Sequence, residues 1–431
     1  MKSGTSPRVE QALLLRTRYG RRARTLGAVV CALAAVSLGS APDAAALDAQ
    51  SKQWYLEPMK AEQMWKTSTG KGIKVAVIGT GVNPKTPSLR GQVLQGVDAL
   101  VKDGLAEGSV TDTDDTTGVG TTAAELIAGT GKGGGLKGLA PAAEIIPIRV
   151  PDIKHDTLPD PNYPLATAIK AAVDSGARII DITIGNQYTI GTQLVGDEAL
   201  DYAVSKGVLM FAPVGDNRKT GNKPQYPAAY HQVVGVGAVD KATKVTSTSN
   251  SAGYVELAAP GVGFPRWCDA SFQQYCDDGV GTAEASALTS AAAALVWSAH
   301  PDWTANQVVR SLIDTASRAY PKDEPSRYIG YGVVRPRKVL ENANYNAGPA
   351  DVDPLSVESR KKAASTASPS ASAPAASEAP EKTSTGGTSA AGSSAESSND
   401  SNTLWIALGA VAAVVVIGGA GAAVIRARRA R

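Results

Sequence analysis

Short apolar runs rich in Val and Ile recur through the middle of the chain. Runs of this length and composition predict buried strands, and six are evident: Val75–Ile78, Glu144–Val150, Arg178–Ile184, Gly207–Pro213, Val233–Val239 and Val255–Ala258. Segments typical of helices lie between several of them, at Ala123–Gly129, Pro164–Ser175, Gly196–Ser205 and Ala283–Ser298. Alternating strands and helices predict an α/β sandwich of three layers, with a mostly parallel central sheet covered on both faces.

The N-terminal region has the composition of a secretory signal. Five arginines between Arg16 and Arg24 precede a short apolar run, Leu26–Leu38, and small residues follow at Ala44-Ala45-Ala46. Basic, apolar and small-residue segments in this order are typical of a cleaved signal peptide, and the apolar run is too short to span a bilayer. We predict that residues 1–46 are a signal peptide, with a site near Ala41 as the alternative cleavage point.

The C-terminal region predicts a membrane anchor. Leu404–Ile425 is an apolar run of about the ~20 residues that a transmembrane helix needs, and Arg426, Arg428, Arg429 and Arg431 follow it directly. Basic residues at one end of a membrane helix mark that end as cytoplasmic. We expect a single-pass type I protein of the cell membrane, with a transmembrane helix at 403–425, a cytoplasmic tail at 426–431 and an extracytoplasmic domain at 47–345. Residues 346–402, rich in Ala, Ser and Pro, predict a disordered tether.

Charge and cysteine content narrow the possible partners and the compartment. The formal net charge is +3, but both termini are basic, so the predicted globular part is mildly acidic. A mildly acidic surface argues against nucleic acid as a partner. Cys268 and Cys276 lie close together in a segment predicted to be outside the cytoplasm, where a local disulfide is expected. Cys31 lies inside the predicted signal peptide.

Glycine-rich loops raise the question of a cofactor. Gly79-Thr80-Gly81 follows the first predicted strand, as a dinucleotide-binding loop would, but Pro84 occupies the place of the third glycine. The segment Gly131–Gly138 follows a helix rather than a strand, which favours a flexible loop over a phosphate-binding loop. We therefore predict no cofactor.

Acidic residues and histidines give no strong metal or catalytic signal. Asp112, Asp114 and Asp115 form an acidic loop, which is more often a solvated turn than a calcium site, so no metal is predicted. The three histidines, His155, His231 and His300, lie in a Pro/Asp-rich loop, before a strand and past the Ala-rich helix. None is in a context that predicts catalysis.

Five motifs occur in an order and spacing that resemble the subtilisin-like serine proteases, peptidase family S8. They are Gly118–Gly131 (GVGTTAAELIAGTG), Gly138–Val150 (GLAPAAEIIPIRV), Tyr226–Asp240 (YPAAYHQVVGVGAVD), Glu256–Val262 (ELAAPGV) and Gly281–Val296 (GTAEASALTSAAAALV). The resemblance covers Trp54–Val339 and implies a subtilisin-like fold. A narrower resemblance is to the mycosins, membrane-anchored subtilases associated with type VII secretion. It rests on the short aromatic lead-in, the lack of a large folded propeptide, the tether and the C-terminal helix with its basic tail.

The resemblance also implies where a catalytic triad would lie, and all three positions are substituted. Gly79 stands where the family has Asp, Val119 where it has His, and Ala283 where it has the nucleophilic Ser. A serine hydroxyl needs an imidazole to remove its proton and a carboxylate to orient that imidazole. The Asn of the oxyanion hole aligns with Asp216, whose carboxylate would repel a developing oxyanion, although a shift of one position would offer Asn217.

These substitutions predict a catalytically inactive protein that acts as a membrane-anchored scaffold or peptide-binding subunit. Its expected partners are proteins or peptides, and the mycosin resemblance places it beside a type VII secretion complex. The alternative is an active serine endopeptidase with relocated catalytic groups, for which Thr282 and Ser286 flank the empty position. A free-standing peptide sensor or decoy is the third possibility.

Overall fold

The computed structural model describes residues 49–151, 163–185 and 194–356. The predicted signal peptide with Cys31, the C-terminal apolar run with its basic tail, and most of the predicted tether lie outside these ranges, as does His155. Within the described ranges, no helix has both the length and the apolar character needed to cross a bilayer.

The described residues form nine strands: β1 (Lys74–Gly79), β2 (Val97–Asp98), β3 (Glu144–Arg149), β4 (Ile179–Ile182), β5 (Leu209–Pro213), β6 (Val234–Val239), β7 (Leu257–Pro260), β8 (Val262–Trp267) and β9 (Tyr275–Val280). The first seven form one parallel sheet in the order β2-β3-β1-β4-β5-β6-β7, and the last two form an antiparallel hairpin. All six predicted strands are present, with small shifts at their ends.

Helices cover both faces of the sheet. They are α1 (Ala61–Met64), α2 (Ala99–Lys102), α3 (Val119–Ala128), α4 (Tyr163–Asp174), α5 (Leu194–Ser205), α6 (Thr282–Ala299), α7 (Ala305–Thr315) and α8 (Arg337–Leu340). Side chains of β1 alternate between the two layers, as a strand requires. Val75 and Val77 pack in a core with α3 and α6, whereas Ala76 and Ile78 pack in a core with α4 and α5. The predicted three-layer α/β sandwich is confirmed.

Helix α6 runs through the centre of one layer and is buried along nearly its whole length. Its side chains are mostly small, and the alanines at 285, 287 and 291–294 have no exposed surface. Small side chains allow a helix to approach a sheet closely, which suits a helix that contacts β4, β5, β6 and β7. The sequence predicted this helix as Ala283–Ser298, within one residue of its observed ends.

Strands β2, β8 and β9 and helices α1, α2, α7 and α8 were not predicted from the sequence. The β8–β9 hairpin contains Gly, Pro and two Asp residues, which are depleted in strands, and its pairing is irregular at two points. Helix α7 has a clear start signal, because Thr304 and Gln307 form a reciprocal capping box at its N-terminus. That signal was present in the sequence and was missed.

The aromatic lead-in packs on the domain. Tyr55 is fully buried, with its ring 4.6 Å from that of Phe264. The indole N–H of Trp54 donates to Val262 O at 2.9 Å, and that of Trp65 donates to Leu139 O at 2.8 Å. At the other end, Leu355 is buried in the core, so packed chain continues past the predicted boundary at Tyr345.

Candidate functional site

The positions singled out in the sequence meet at one edge of the sheet. Strands β1, β4 and β5 are neighbours, and their carboxyl ends share this edge. The N-termini of α3 and α6 lie at the same edge. Gly120 of α3 packs so closely on the loop after β1 that a Cβ atom there would fall 2.1 Å from Gly81 O. Thr282 of α6 accepts a hydrogen bond from the backbone N–H of Gly215, directly after β5, at 3.1 Å. In parallel α/β sheets, ligands bind in the crevice outside the carboxyl ends of the strands. This edge is therefore the candidate site.

Gly79 is the last residue of β1, and a neighbouring side chain fills the space beside it. A Cβ atom built on Gly79 would lie 2.3 Å from Thr183 Oγ1. Thr183 directly follows β4, is buried, and donates its hydroxyl to Ile78 O at 3.2 Å. No side chain larger than hydrogen fits at position 79 unless Thr183 moves.

Val119 and Ala283 line one shallow pocket, together with Trp267 and Glu284. Val119 begins α3 and is 43% exposed, while Ala283 lies in the first turn of α6. The pocket has about 30 Å³ accessible to water, roughly enough for one molecule. Neither Val nor Ala can donate or accept a proton, so these two residues give the pocket no acid–base or nucleophilic chemistry.

Asp216 lies at the N-terminus of α6, beside this pocket. Its Oδ2 accepts hydrogen bonds from the backbone N–H and the hydroxyl of Thr282, both at 3.0 Å. The positive end of a helix dipole favours a carboxylate at this place. A carboxylate offers no hydrogen-bond donor to a developing oxyanion.

Asn217 does not take the place of Asp216. Its backbone N–H donates to Asn250 Oδ1 at 3.0 Å, and within the described part of the chain its buried amide nitrogen and oxygen have no hydrogen-bond partner. Asp216, rather than Asn217, is therefore the residue that contacts the start of α6.

Glu284 adds a second carboxyl group to the pocket. The pKa of Glu284 is raised to about 7, mainly by loss of hydration and also by the charge of Asp216, while its own backbone N–H and the charge of Arg266 act in the opposite direction. The pocket thus holds acidic groups where a hydrolase acting through an oxyanion would hold donors. Glu284 was not among the predicted site residues, although it directly follows Ala283 in the sequence.

Ser286 and Thr282, which could have supplied a relocated nucleophile, are both buried. Ser286 donates to Asp181 Oδ1 at 2.7 Å, and Ser290 donates to the same oxygen at 2.9 Å. Thr282 donates to Asp216 and accepts from the backbone N–H of Gly215 at 3.1 Å. These hydroxyls hold α6 against β4 and β5 and are not accessible to a substrate.

The β8–β9 hairpin covers α3 and supplies Arg266 and Trp267 to the pocket. Glu125 of α3 is buried and accepts hydrogen bonds from the hydroxyl of Tyr275 at 2.6 Å and from that of Thr86 at 2.8 Å. Loss of hydration raises the pKa of Glu125 to about 7. A disulfide joins Cys268 and Cys276 across the hairpin.

Replacing both cysteines by serine is expected to lower the free energy of unfolding by roughly 2 kcal/mol, since the cross-link restricts a short loop of the unfolded chain. Urea unfolding of the full-length protein would measure the change, with Gln273→Ala in the same turn as the control. An unchanged midpoint would mean that the Glu125–Tyr275 contact alone holds the hairpin.

The histidines in the described ranges do not take part in the site. His231 is exposed, and His300 follows α6 with its ring stacked 3.9 Å from that of Trp303. A relocated general base on either residue is therefore not supported by their positions.

The acidic loop that suggested calcium has structural partners. Asp115 is buried and accepts hydrogen bonds from the backbone N–H and the hydroxyl of Thr121, at 2.9 and 2.7 Å, so its carboxylate satisfies a backbone donor in the first turn of α3. Asp112 lies 3.8 Å from Arg149. Across residues 49–151, 163–185 and 194–356, no three His, Cys, Asp or Glu side chains form a group that could hold a metal ion.

Residues 70–332 match the Subtilase family, Peptidase S8. The minor extracellular protease Epr of Bacillus subtilis is 28% identical over 69% of this chain, which spans only 43% of Epr. The crystal structure of MycP1 from Mycobacterium smegmatis has the same fold, with a TM-score of 0.58 and 24% identity, covering 69% of this chain and 86% of that one. The structure of the MycP3 protease from the type VII (ESX-3) secretion system aligns with a TM-score of 0.56 and 30% identity, covering 70% and 89%.

Proposed function

Because the chain belongs to the subtilase family, we propose that it is a mycosin-like member that does not hydrolyse peptide bonds and acts as a scaffold or peptide-binding subunit. Its extracytoplasmic, membrane-anchored location is part of the proposal and rests on the two terminal segments of the sequence. Its place beside a type VII secretion complex rests on the similarity to MycP1 and MycP3.

One observation carries the proposal: no group at the triad positions can transfer a proton or attack a carbonyl. Gly79, Val119 and Ala283 replace the acid, base and nucleophile, and Thr183 fills the space that a carboxylate at position 79 would need. Loss of a triad costs on the order of 10⁶-fold in turnover in subtilisin. Asp216 stands where the family has the Asn of the oxyanion hole, and its carboxylate would repel the negative charge that this hole stabilises.

The three substitutions at the triad positions are also consistent with one another in the free energy of folding. A buried Asp without its histidine would be an unpaired charge, which costs several kcal/mol. Glycine removes that charge, and the apolar side chains of Val119 and Ala283 bring no polar group that would need a partner. The subtilase fold and the small pocket at the strand ends are both present, which supports retention for binding.

The rival function is endopeptidase activity through relocated groups. Its best candidates among the described residues are Thr282 and Ser286, which are buried and hydrogen-bonded to Asp216 and Asp181. Nucleophilic attack would require either side chain to leave these contacts and reach solvent.

Incubation of the full-length protein with a fluorogenic peptide library should give no hydrolysis above buffer, and a competent subtilase would serve as positive control. Turnover that survives repurification and disappears in Thr282→Val or Ser286→Ala would establish a relocated site and refute the proposal. Crosslinking in membranes then separates a scaffold, which should co-purify with a membrane complex, from a free-standing sensor or decoy, which should not.

A further inference from the structure

The hairpin residues that line the pocket, Arg266 and Trp267, are attached to α3 by a few specific contacts. The backbone N–H of Trp267 donates to Thr122 Oγ1 at 3.0 Å, and its indole ring stacks on the ring of Tyr275 with 3.9 Å between the centroids. The hydroxyl of Tyr275 donates in turn to the carboxyl group of Glu125 at 2.6 Å. The charge of Glu125 therefore bears on the position of a residue that lines the pocket.

Glu125 is a buried acid without a cation beside it. Its side chain has no exposed surface, and it takes part in no ion pair among the described residues. Removal from water without a cation favours the neutral form of a carboxyl group. Loss of hydration accordingly raises the pKa of Glu125 to about 7, although hydrogen bonds from Tyr275 and Thr86, the indole of Trp267 and the backbone of Leu136 lower it. The indole N–H itself makes no hydrogen bond in the described part of the chain.

Two phenols face Glu125, Tyr275 from β9 and Tyr55 from the aromatic lead-in. In both, burial raises the pKa most and the charge of Glu125 raises it further, so both stay neutral between pH 5 and pH 8. A protonated carboxyl group keeps some acceptor capacity beside its O–H. The contact between Tyr275 and Glu125 therefore does not depend on a charged carboxylate.

The cations of the neighbouring segments point elsewhere. Lys137 places its ammonium group 3.9 Å from the centroid of the Trp65 ring, and Arg266 of β8 acts on Glu284. Within the described residues, Glu125 is therefore the group of this cluster whose charge changes between pH 5 and pH 8.

The two strands of the hairpin are tied to each other beside this contact. A disulfide joins Cys268 and Cys276, the residues that follow Trp267 and Tyr275, while the aromatic lead-in holds the base of β8. An ionised Glu125 would regain water if the tip half of the hairpin moved away from α3, and both rings would then leave together. The pocket, which has room for about one water molecule with the hairpin in place, would widen.

We propose that Glu125 is a pH-dependent latch for the hairpin wall of the pocket: while neutral it keeps Trp267 and Arg266 in place, and once ionised it releases them, so that a peptide gains access. Glu125 is a positioning residue that acts through Tyr275. The inference rests on the proposed peptide-binding function, whose regulation it describes. Closure is favoured where the closed form keeps a proton that the open, hydrated carboxyl group has lost, which is from about pH 4 to about pH 7. The open fraction rises with pH through this window and levels off above it.

Hydrogen exchange of the full-length protein, read by mass spectrometry on peptides that cover residues 266–275, tests the proposal. Protection factors, which correct for the pH dependence of intrinsic exchange, should fall about tenfold for each pH unit between pH 5 and pH 7 and then level off. Glu125→Gln keeps the shape and removes the charge, so its hairpin should be as protected at pH 8 as at pH 5. A merely structural role would instead make the variant less protected than the wild type at both pH values. Glu125→Met, which is also uncharged, replaces the glutamine variant should that one fail to fold.

Asp181→Asn is the matched control. It removes another buried carboxyl group whose pKa is about 7, but one that contacts Ser286 and Ser290 of α6 rather than the hairpin. It should leave the pH response of residues 266–275 unchanged, and an altered response would show exchange by global unfolding and overturn the latch. Equal protection of the wild type at pH 5 and pH 8 would also overturn it, as would a wild-type response in Glu125→Gln.

Retention of uncharged, N-acetylated and C-amidated hexapeptides at pH 5 and pH 8 separates the latch from the proposed function. The wild type should retain more peptide at pH 8, and Glu125→Gln should retain equally little at both. The expected exchange response without retention of any peptide would support the latch and refute the peptide-binding function. Wild-type retention that is the same at both pH values would overturn the inference that the hairpin controls access.

Discussion

Refilling the triad with Gly79→Asp, Val119→His and Ala283→Ser is expected to leave the protein without measurable peptide hydrolysis. The carboxylate of Asp216 would face the developing oxyanion, where a hydrogen-bond donor is needed. Loss of one such donor costs about 10²–10³-fold in turnover, and a negative charge in its place is worse. Adding Asp216→Asn to the refilled variant should therefore raise turnover by at least about 10²-fold in the fluorogenic library assay.

The design of this experiment depends on Thr183. A side chain at position 79 would collide with Thr183 Oγ1, so each refilled variant should also carry Thr183→Ala. Asp216→Asn alone, in the wild-type background, is the control and should remain inactive. Equal turnover with and without Asp216→Asn would show that position 216 does not face the oxyanion.

Raising the pH from 5 to 8 is expected to lower the free energy of unfolding. Burial raises the pKa of both Asp181 and Glu125 to about 7, whereas in the unfolded chain such groups ionise near pH 4. Between these values the folded state binds more protons, so stability is greatest below pH 4 to 5 and falls as the pH rises to about 7. The free energy of unfolding falls by about 1.4 kcal/mol for each pH unit in this range, so one such group lowers it by roughly 3 kcal/mol between pH 5 and pH 7.

Urea unfolding of the wild type and of Asp181→Asn at both pH values tests this. One oxygen of Asp181 has no hydrogen-bond partner among the described residues, so replacing it by the amide nitrogen should change the free energy of unfolding little at pH 5. At pH 8 the wild type buries a charged carboxylate and the variant a neutral amide, so the variant should be the more stable of the two. The exposed Glu324→Gln provides the control and should keep the wild-type slope. An unchanged slope in Asp181→Asn would show that Asp181 does not titrate in this range.

Local patterns predicted the strands and the Ala-rich helix, because apolar runs act over neighbouring residues, whereas Gly79, Val119 and Ala283 were singled out through the resemblance to the subtilases. The residues that shape the site act over long sequence separations and were missed. Thr183 fills the space at Gly79, and Tyr275 binds Glu125. These pairs follow no periodic pattern in the sequence, so their contacts could be identified only from the folded structure.

The burial of α6 decides which wall of the pocket can respond to a bound molecule. Its alanines pack against the sheet with no exposed surface, and adding even a methylene to such a contact typically costs 1–3 kcal/mol. A sliding or rotation of α6 would create such clashes at several positions at once. Thr282, Ala283 and Glu284 therefore form a fixed wall, so a larger molecule could enter the pocket only if lining side chains outside α6, such as Arg266, changed their position.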